Sequence, residues 1–382
     1  MFRCPQSKTG TLIIPNSVAA IRSYAFSGCS GLTGTLTIPS SVTEISWYAF
    51  YGCSGFTGTL TIPNSVTEIG SSAFQNCSGF TGALVIPNTI TSIRSYAFSG
   101  CSGFTELTIP NSVTELDFCA FNGCSGLTEV TIPNSITEIS GYVFARCSSL
   151  TEITIPNSVT KIDWYVFSDC SGLTEINIPN SVTEIGLCSF AGCIGLTKIT
   201  IPNSVISIGQ AVFENCIGLT EVTIGSAVAE ISDYAFLRCT GLTKVTNLSI
   251  SPQNINSDVF YEVDLSSVTL VVPACDLNYQ NAEVWSDFGI IMDTDGVSCE
   301  KSGIETIKDN QISIYPNPVK GQLRITNYEL RNGTLYSIFG VTGQVLMQGN
   351  LQGETTIINV SSLSQGVYFI KAGNSVGKFV KK

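Results

Sequence analysis

Proline recurs along this chain at positions 15, 39, 63, 87, 110, 133, 156, 179 and 202, with Gly225 in the next slot, so the interval is 24 residues three times and 23 thereafter. Intervals this regular mark a tandem array, and a unit of this size buries its apolar side chains only by stacking on its neighbours. Three columns fix the register. The residue before each slot is Ile ten times, from Ile14 to Ile224; eleven places after the slot comes Phe, from Phe26 to Phe236; fourteen places after it comes Cys, from Cys29 to Cys239.

Within one unit, Leu127, Val130 and Ile132 alternate as the inward residues of a strand that Pro133 ends. Ile136 and Ile139 make a second inward pair, Val143 and Phe144 are predicted in a short helical turn, and a Gly/Ser-rich corner at Cys147 leads into the next strand. Gly10, Gly34, Gly58 and Gly82 are the extra residues of the longer early units, predicted to stack as a bulged stripe. The fold class is therefore a β-rich solenoid of about ten 23/24-residue coils, followed by a small C-terminal β-sandwich.

The outward strand positions form a candidate ligand face. Two places before the slot stand Thr37, Thr61, Thr108, Thr131, Thr154, Thr200 and Thr223. Four places before it the residues run from Thr35, Thr59 and Ala83 to Glu106, Glu129, Glu152 and Glu175, then Lys198 and Glu221. Such columns either solvate the strands and block edge pairing, or present a surface to a basic or polar protein. Tyr24, Tyr48, Tyr96, Tyr142, Tyr165 and Tyr234, with Trp47 and Trp164, either cover the turns or stack on sugars.

Catalysis has little to work with. The chain contains no histidine, which removes the commonest general base and zinc ligand. It carries no G-x-S-x-G elbow, P-loop or dinucleotide fingerprint, and Asp293-Thr-Asp295-Gly296 lacks the spacing and distal Glu of a calcium loop. No enzyme activity, metal or cofactor is expected. Net charge is −7 over residues 1–245, −9 over 246–311 and +5 over 312–382, so the repeats offer no basic patch for nucleic acid. Ten of the fifteen cysteines occupy one column and read as buried thiols filling a tight corner. Of the rest, Cys4, Cys119, Cys188, Cys275 and Cys299, the pair Cys275 and Cys299 flanks the end of the array and is the first disulfide candidate.

The unit L-x-x-I-x-I-P-x-x-V-x-x-I-x-x-x-A-F-x-x-C resembles the BspA-like branch of bacterial leucine-rich repeats over residues 1–245. Val259-Phe260-Tyr261, Val268 to Pro273 and Val284 to Phe288 are similar to the segment that closes such arrays, which makes residues 246–298 a cap and 299–311 a polar linker. Residues 312–382 resemble the C-terminal sorting domain of the type IX secretion system of Bacteroidetes, through Tyr315-Pro316-Asn317-Pro318, Gly321, the turn from Gly340 to Gly343, Leu363 to Tyr368 with Gly366, and the ending Lys378-Phe379-Val380-Lys381-Lys382. These resemblances imply an exported, extracellular or cell-surface protein that engages the secretion machinery, and a partner among host matrix proteins, host cells or other bacteria; a glycan is the alternative, and a purely structural spacer another. Phe2 stands thirteen residues before Pro15, as Phe26 does before Pro39, and no signal peptide is legible, so Met1 reads as an internal start or a truncation.

Overall fold

The computed structural model describes residues 3–275, 278–299, 312–326, 333–353, 355–373 and 375–382. The Phe2 register mark and the linker beyond Cys299 lie outside the described residues. The chain divides between residues 301 and 302 into two compact units.

In the first unit the 23/24-residue period closes into a β-solenoid of about 12 turns. Most coils contribute to two sets of parallel strands, one before and one after the proline. Before the prolines, Gly82–Val85, Phe104–Thr108, Glu129–Thr131 and Glu152–Thr154 pair in succession. A second run joins Lys198–Ile201, Glu221–Ile224, Lys244–Asn247, Thr269–Val272 and Ile290–Asp293. After the prolines, two-residue strands such as Glu138–Ile139, Lys161–Ile162 and Glu184–Ile185 stack in the same way. Equivalent positions face each other throughout, as Val130 faces Ile153 and Ile139 faces Ile162. A parallel ladder in this register turns each sequence column into a physical stack.

The core follows from that stacking. Leu127, Val130, Ile132, Ile136, Ile139, Val143, Phe144 and Cys147 are all buried. The Phe column forms a continuous ring stack from Phe26 to Phe260, with successive centroids 5.2 to 6.0 Å apart. A shorter stack of Phe56, Phe80 and Phe104 stands edge-on to it. The extra glycines do bulge the early coils: Gly34, Gly58 and Gly82 have φ near +75°, and the ladder register shifts between Gly82 and Ala83.

The short helical turn expected at Val143 and Phe144 is replaced by a chain of single turns. Val143, Ala145 and Cys147 donate their N–H groups three residues back, to Ser140, Tyr142 and Phe144. The intervening Tyr142, Phe144 and Arg146 donate instead to Trp164, Val166 and Ser168 of the next coil, at 3.1, 3.1 and 2.7 Å. A helix would direct all these donors back along its own segment. Here the neighbouring coil supplies carbonyls at strand spacing, and Tyr142 and Arg146 take left-handed φ values of 59° and 60° so that alternate groups face it.

After the tenth Cys the ladder continues through Thr269–Val272 and Ile290–Asp293. There Trp285 meets Phe260 edge-on at 6.1 Å and ends the ring stack, its indole N–H donating to the Gln253 carbonyl at 2.8 Å. Asn247 takes the place of the buried Ile and pairs with the buried Gln253 amide at 2.7 Å. A disulfide joins Cys275 to Cys299.

The second unit is antiparallel. Ser313–Tyr315, Gln322–Thr326 and Thr355–Asn359 form one sheet; Val345–Asn350, Leu335–Phe339, Gly366–Ala372 and Ser375–Lys381 form the other. Leu323, Ile325 and Ile358 of the first sheet share a core with Ile338, Tyr368, Ile370 and Phe379 of the second, the arrangement of a small β-sandwich.

Candidate functional site

The period of two along each pre-proline strand sends the expected face residues outward while Leu107, Val130 and Ile153 go in. Thr37, Thr61, Thr108, Thr131, Thr154 and Thr200 are exposed, as are Glu106, Glu129, Glu152 and Glu175; Glu221 and Thr223 are half-buried. In register, Glu106 faces Glu129 and Glu129 faces Glu152, with Thr108, Thr131 and Thr154 aligned beside them. Thr37 bridges to Thr61 in the early coils.

Charge divides this face. Lys198 faces Glu221, which faces Lys244, and the Lys198 Nζ lies 2.8 Å from Glu221 Oε1. That ammonium holds the Glu221 carboxyl below the ordinary carboxylate range. Among the described residues, no ion pair involves Glu106, Glu129, Glu152 or Glu175. The post-proline ladder also carries acids: Glu44 faces Glu68 with Arg22 paired to Glu44 from beside the column, and Lys161 stands between Glu138 and Glu184. Glu106, Glu129 and Glu152 are thus a run of like charge in register in a parallel sheet, with Glu175 the next carboxylate of the column, and neighbouring like charges across strands cost free energy.

The run ends where the ladder itself is interrupted. Glu175–Asn177 forms no strand pair, and a crevice of about 360 Å³ opens between this coil and Glu152–Thr154. Asn177 stands here in place of the column Thr, the one local mark of the break in the sequence.

Sequence reasoning missed a second column beside the face. Asn111, Asn134 and Asn157 follow the prolines, are exposed, and with Thr108, Thr131 and Thr154 line a groove of about 1120 Å³. A similar groove continues past Asn180 and Asn203. The repeated Pro-Asn-Ser was the available signal; such triplets ordinarily indicate only a turn.

The aromatic positions mostly cover one another. Tyr24 stacks on Tyr48 at 4.9 Å and Tyr142 on Tyr165 at 4.6 Å, so these rings spend their faces internally. Trp164 lies over Gly141, where any Cβ would come 2.8 Å from its Nε1. Trp47 remains 61% exposed. Asp293 is occupied by its own turn: its Oδ1 accepts from the Asp295 and Val297 N–H groups at 3.0 and 2.8 Å.

In the second unit the motif residues gather around the last strand. The Asn317 amide donates to the Lys378 carbonyl at 3.1 Å and accepts from the Val380 N–H at 2.9 Å, fixing the Tyr315-Pro316-Asn317-Pro318 loop to a segment some sixty residues later. Both X-Pro bonds of that loop are cis. The Tyr315 hydroxyl accepts from Arg324 at 3.0 Å, and this guanidinium lowers the phenol below its usual range. Gly366 faces Lys381 across the hairpin; Tyr368 is buried against Phe379 and donates to the Ser364 carbonyl at 2.9 Å. Lys378 and Lys382 are exposed and Lys381 half-buried, so the basic ending is turned toward solvent.

Six copies of the family model described as "BspA type Leucine rich repeat region" match residues 2–83, 80–193 and 160–275, and the "Secretion system C-terminal sorting domain" model matches 313–382. No curated protein matches the chain. Similar solved structures include a leucine rich cell surface protein from Faecalibacterium prausnitzii, 28% identical over 78% of this chain and 83% of that one (TM-score 0.47). Another is a leucine-rich repeat protein from Bacteroides ovatus, 25% identical over 69% and 83% (TM-score 0.45). The Treponema pallidum leucine-rich repeat protein is 30% identical over 42% and 77% (TM-score 0.39). The matched repeats, laid down as in-register coils and followed by the motif-bearing sandwich, place this chain in the BspA-type leucine-rich repeat family, as an exported member that carries a secretion-system sorting domain.

Proposed function

We propose that this exported protein is an adhesin or interaction protein whose pre-proline face binds a basic, extended protein segment on host matrix, a host cell or another bacterium. The observation that carries the reading is the unpaired run Glu106, Glu129, Glu152 and Glu175 beside the Thr column. Solvation of a strand needs alternating or mixed charge at least as well as a like-charged row, so a row kept at a cost favours a partner that neutralises it. Binding would be the sum of many weak polar contacts on a rigid surface. The sorting domain would address the chain to its export machinery through the gathered Tyr315 to Pro318 loop and basic ending. Residues 1–245 then serve as the recognition array, 246–298 as its cap, 299–311 as a linker and 312–382 as the address.

The Asn/Thr groove favours a second reading, a glycan chain held by uncharged amides and hydroxyls. One binding screen separates the two, with the full chain tested against matrix proteins, bacterial cells and glycan arrays. A protein-binding face requires that Glu106/Glu129/Glu152/Glu175→Gln lose binding while Asn111/Asn134/Asn157→Ala keeps it. The opposite pattern establishes the glycan reading, and no saturable binding at all leaves a structural spacer.

A further inference from the structure

The cysteine column has one irregular member. Nine thiols, from Cys53 to Cys239, donate to the carbonyl of the column Phe one coil before their own, as Cys53 does to Phe26 at 3.0 Å and Cys147 to Phe121 at 3.5 Å. Side by side and each turned to a carbonyl, these thiols lie parallel and are satisfied. Cys29 differs. Its Sγ lies 3.4 Å from the Pro5 carbonyl and 3.6 Å from the Cys4 carbonyl, and the Cys4 thiol turns to the same Pro5 carbonyl at 3.7 Å, so two free thiols share one acceptor.

Register explains the meeting. Pro5 stands 24 residues before Cys29 and so occupies the column slot, which leaves Cys4 one place off the column. Its N–H donates to the Ala25 carbonyl at 2.7 Å, holding that segment against the coil that bears Cys29. An off-column cysteine approaches its neighbour from the side, an approach that two thiols within the ladder lack. The disulfide at the far end has the same plan: Cys275 and Cys299 are 24 residues apart and link the last two coils, and Cys4 and Cys29 are 25 apart.

We propose that Cys4 and Cys29 are a second disulfide site, oxidised after export, which ties the first described coil to the next as Cys275–Cys299 ties the last two. The oxidant is a protein disulfide of the exported compartment. Cys4, partly exposed, attacks one of its sulfurs and forms a mixed disulfide; the Cys29 sulfur then attacks Cys4 and displaces the carrier. One S–S bond forms and one breaks, and the two electrons and two protons leave with the carrier as its dithiol. Burial, which pushes the Cys29 thiol up to about 11, assigns the first attack to Cys4.

The test is a non-reducing peptide map of the full chain, oxidised with glutathione disulfide and blocked with an alkylating agent. Digestion with trypsin and chymotrypsin should yield residues 4–8 joined to residues 27–32, lost on reduction and absent from Cys4→Ser, with the Cys275–Cys299 cross-link as the internal control. Tryptic cleavage at Arg22 should be at least about tenfold slower in the oxidised protein than in Cys4→Ser. The proposal is overturned by a map in which Cys275–Cys299 is linked while Cys4 and Cys29 are both alkylated, or in which Cys4 is joined to any other cysteine. Equal cleavage of oxidised protein and Cys4→Ser would remove the clamping role.

Discussion

Two runs of pre-proline strands carry the same fold and different electrostatics. From Glu106 to Glu175 the outward column is a row of unpaired carboxylates; from Lys198 to Lys244 the signs alternate and an ion pair closes. Beneath both runs the same stack of Phe rings and the same row of thiols. The interior is therefore indifferent to the change, and the difference resides wholly on the surface. A repeat array gives a clean separation of this kind, because inward columns set stability and outward columns are free to vary.

Perturbations of the interior should affect both stretches alike. The largest is alkali. Burial raises the Cys124, Cys170 and Cys216 thiols from 9.0 to about 12. A raised folded-state value gives stability that is complete below the unfolded value and is lost as pH climbs through the folded one. The array should hold below about pH 9 and weaken progressively between about pH 9 and 12, as each thiol exposed by unfolding gives up its proton. Chemical denaturation at stepped pH checks this; a midpoint that stays level through that window would contradict buried, protonated thiols.

Next in size is a cavity in the ring stack. Phe144→Ala, under the acidic stretch, and Phe213→Ala, under the alternating one, should each cost about 3–5 kcal/mol. The two losses should agree, and a large gap between them in denaturant titrations would mean that the interiors are not equivalent. Surface changes should then tell the stretches apart. Glu106/Glu129/Glu152/Glu175→Gln should leave stability unchanged or slightly raised and weaken a cationic partner by about 10- to 100-fold, with a shallower salt dependence. The smallest effect is expected from Lys198→Met, which removes a solvent-exposed pair and should shift stability by less than about 1 kcal/mol, read as a change in melting temperature.

The inward columns were legible because burial and stacking impose one residue type per slot, so Ile132, Phe144 and Cys147 announce themselves by recurrence. The off-column position of Cys275 and Cys299 was legible for the complementary reason. Other features escaped. Tyr142 donates its N–H to a carbonyl 22 residues away, at Trp164, and no local window around Val143 distinguishes that arrangement from a helical turn. The Asn column was hidden by its own chemistry, since an Asn after Pro is explained by the turn alone. The ladder break at Glu175–Asn177 had only the change from Thr to Asn to signal it, and one substitution within a column is indistinguishable from drift.

The most direct measurement is a paired titration of one partner recovered from the matrix and cell screen, at low and high salt, against wild type, the four-glutamate Gln variant and Lys198/Lys244→Met. If the acidic run is the recognition surface, affinity falls at least about tenfold for the first variant, holds for the second, and the salt sensitivity of wild type disappears with the glutamates. Equal affinity across all three proteins would show that this face is only solvated sheet, and that recognition lies elsewhere.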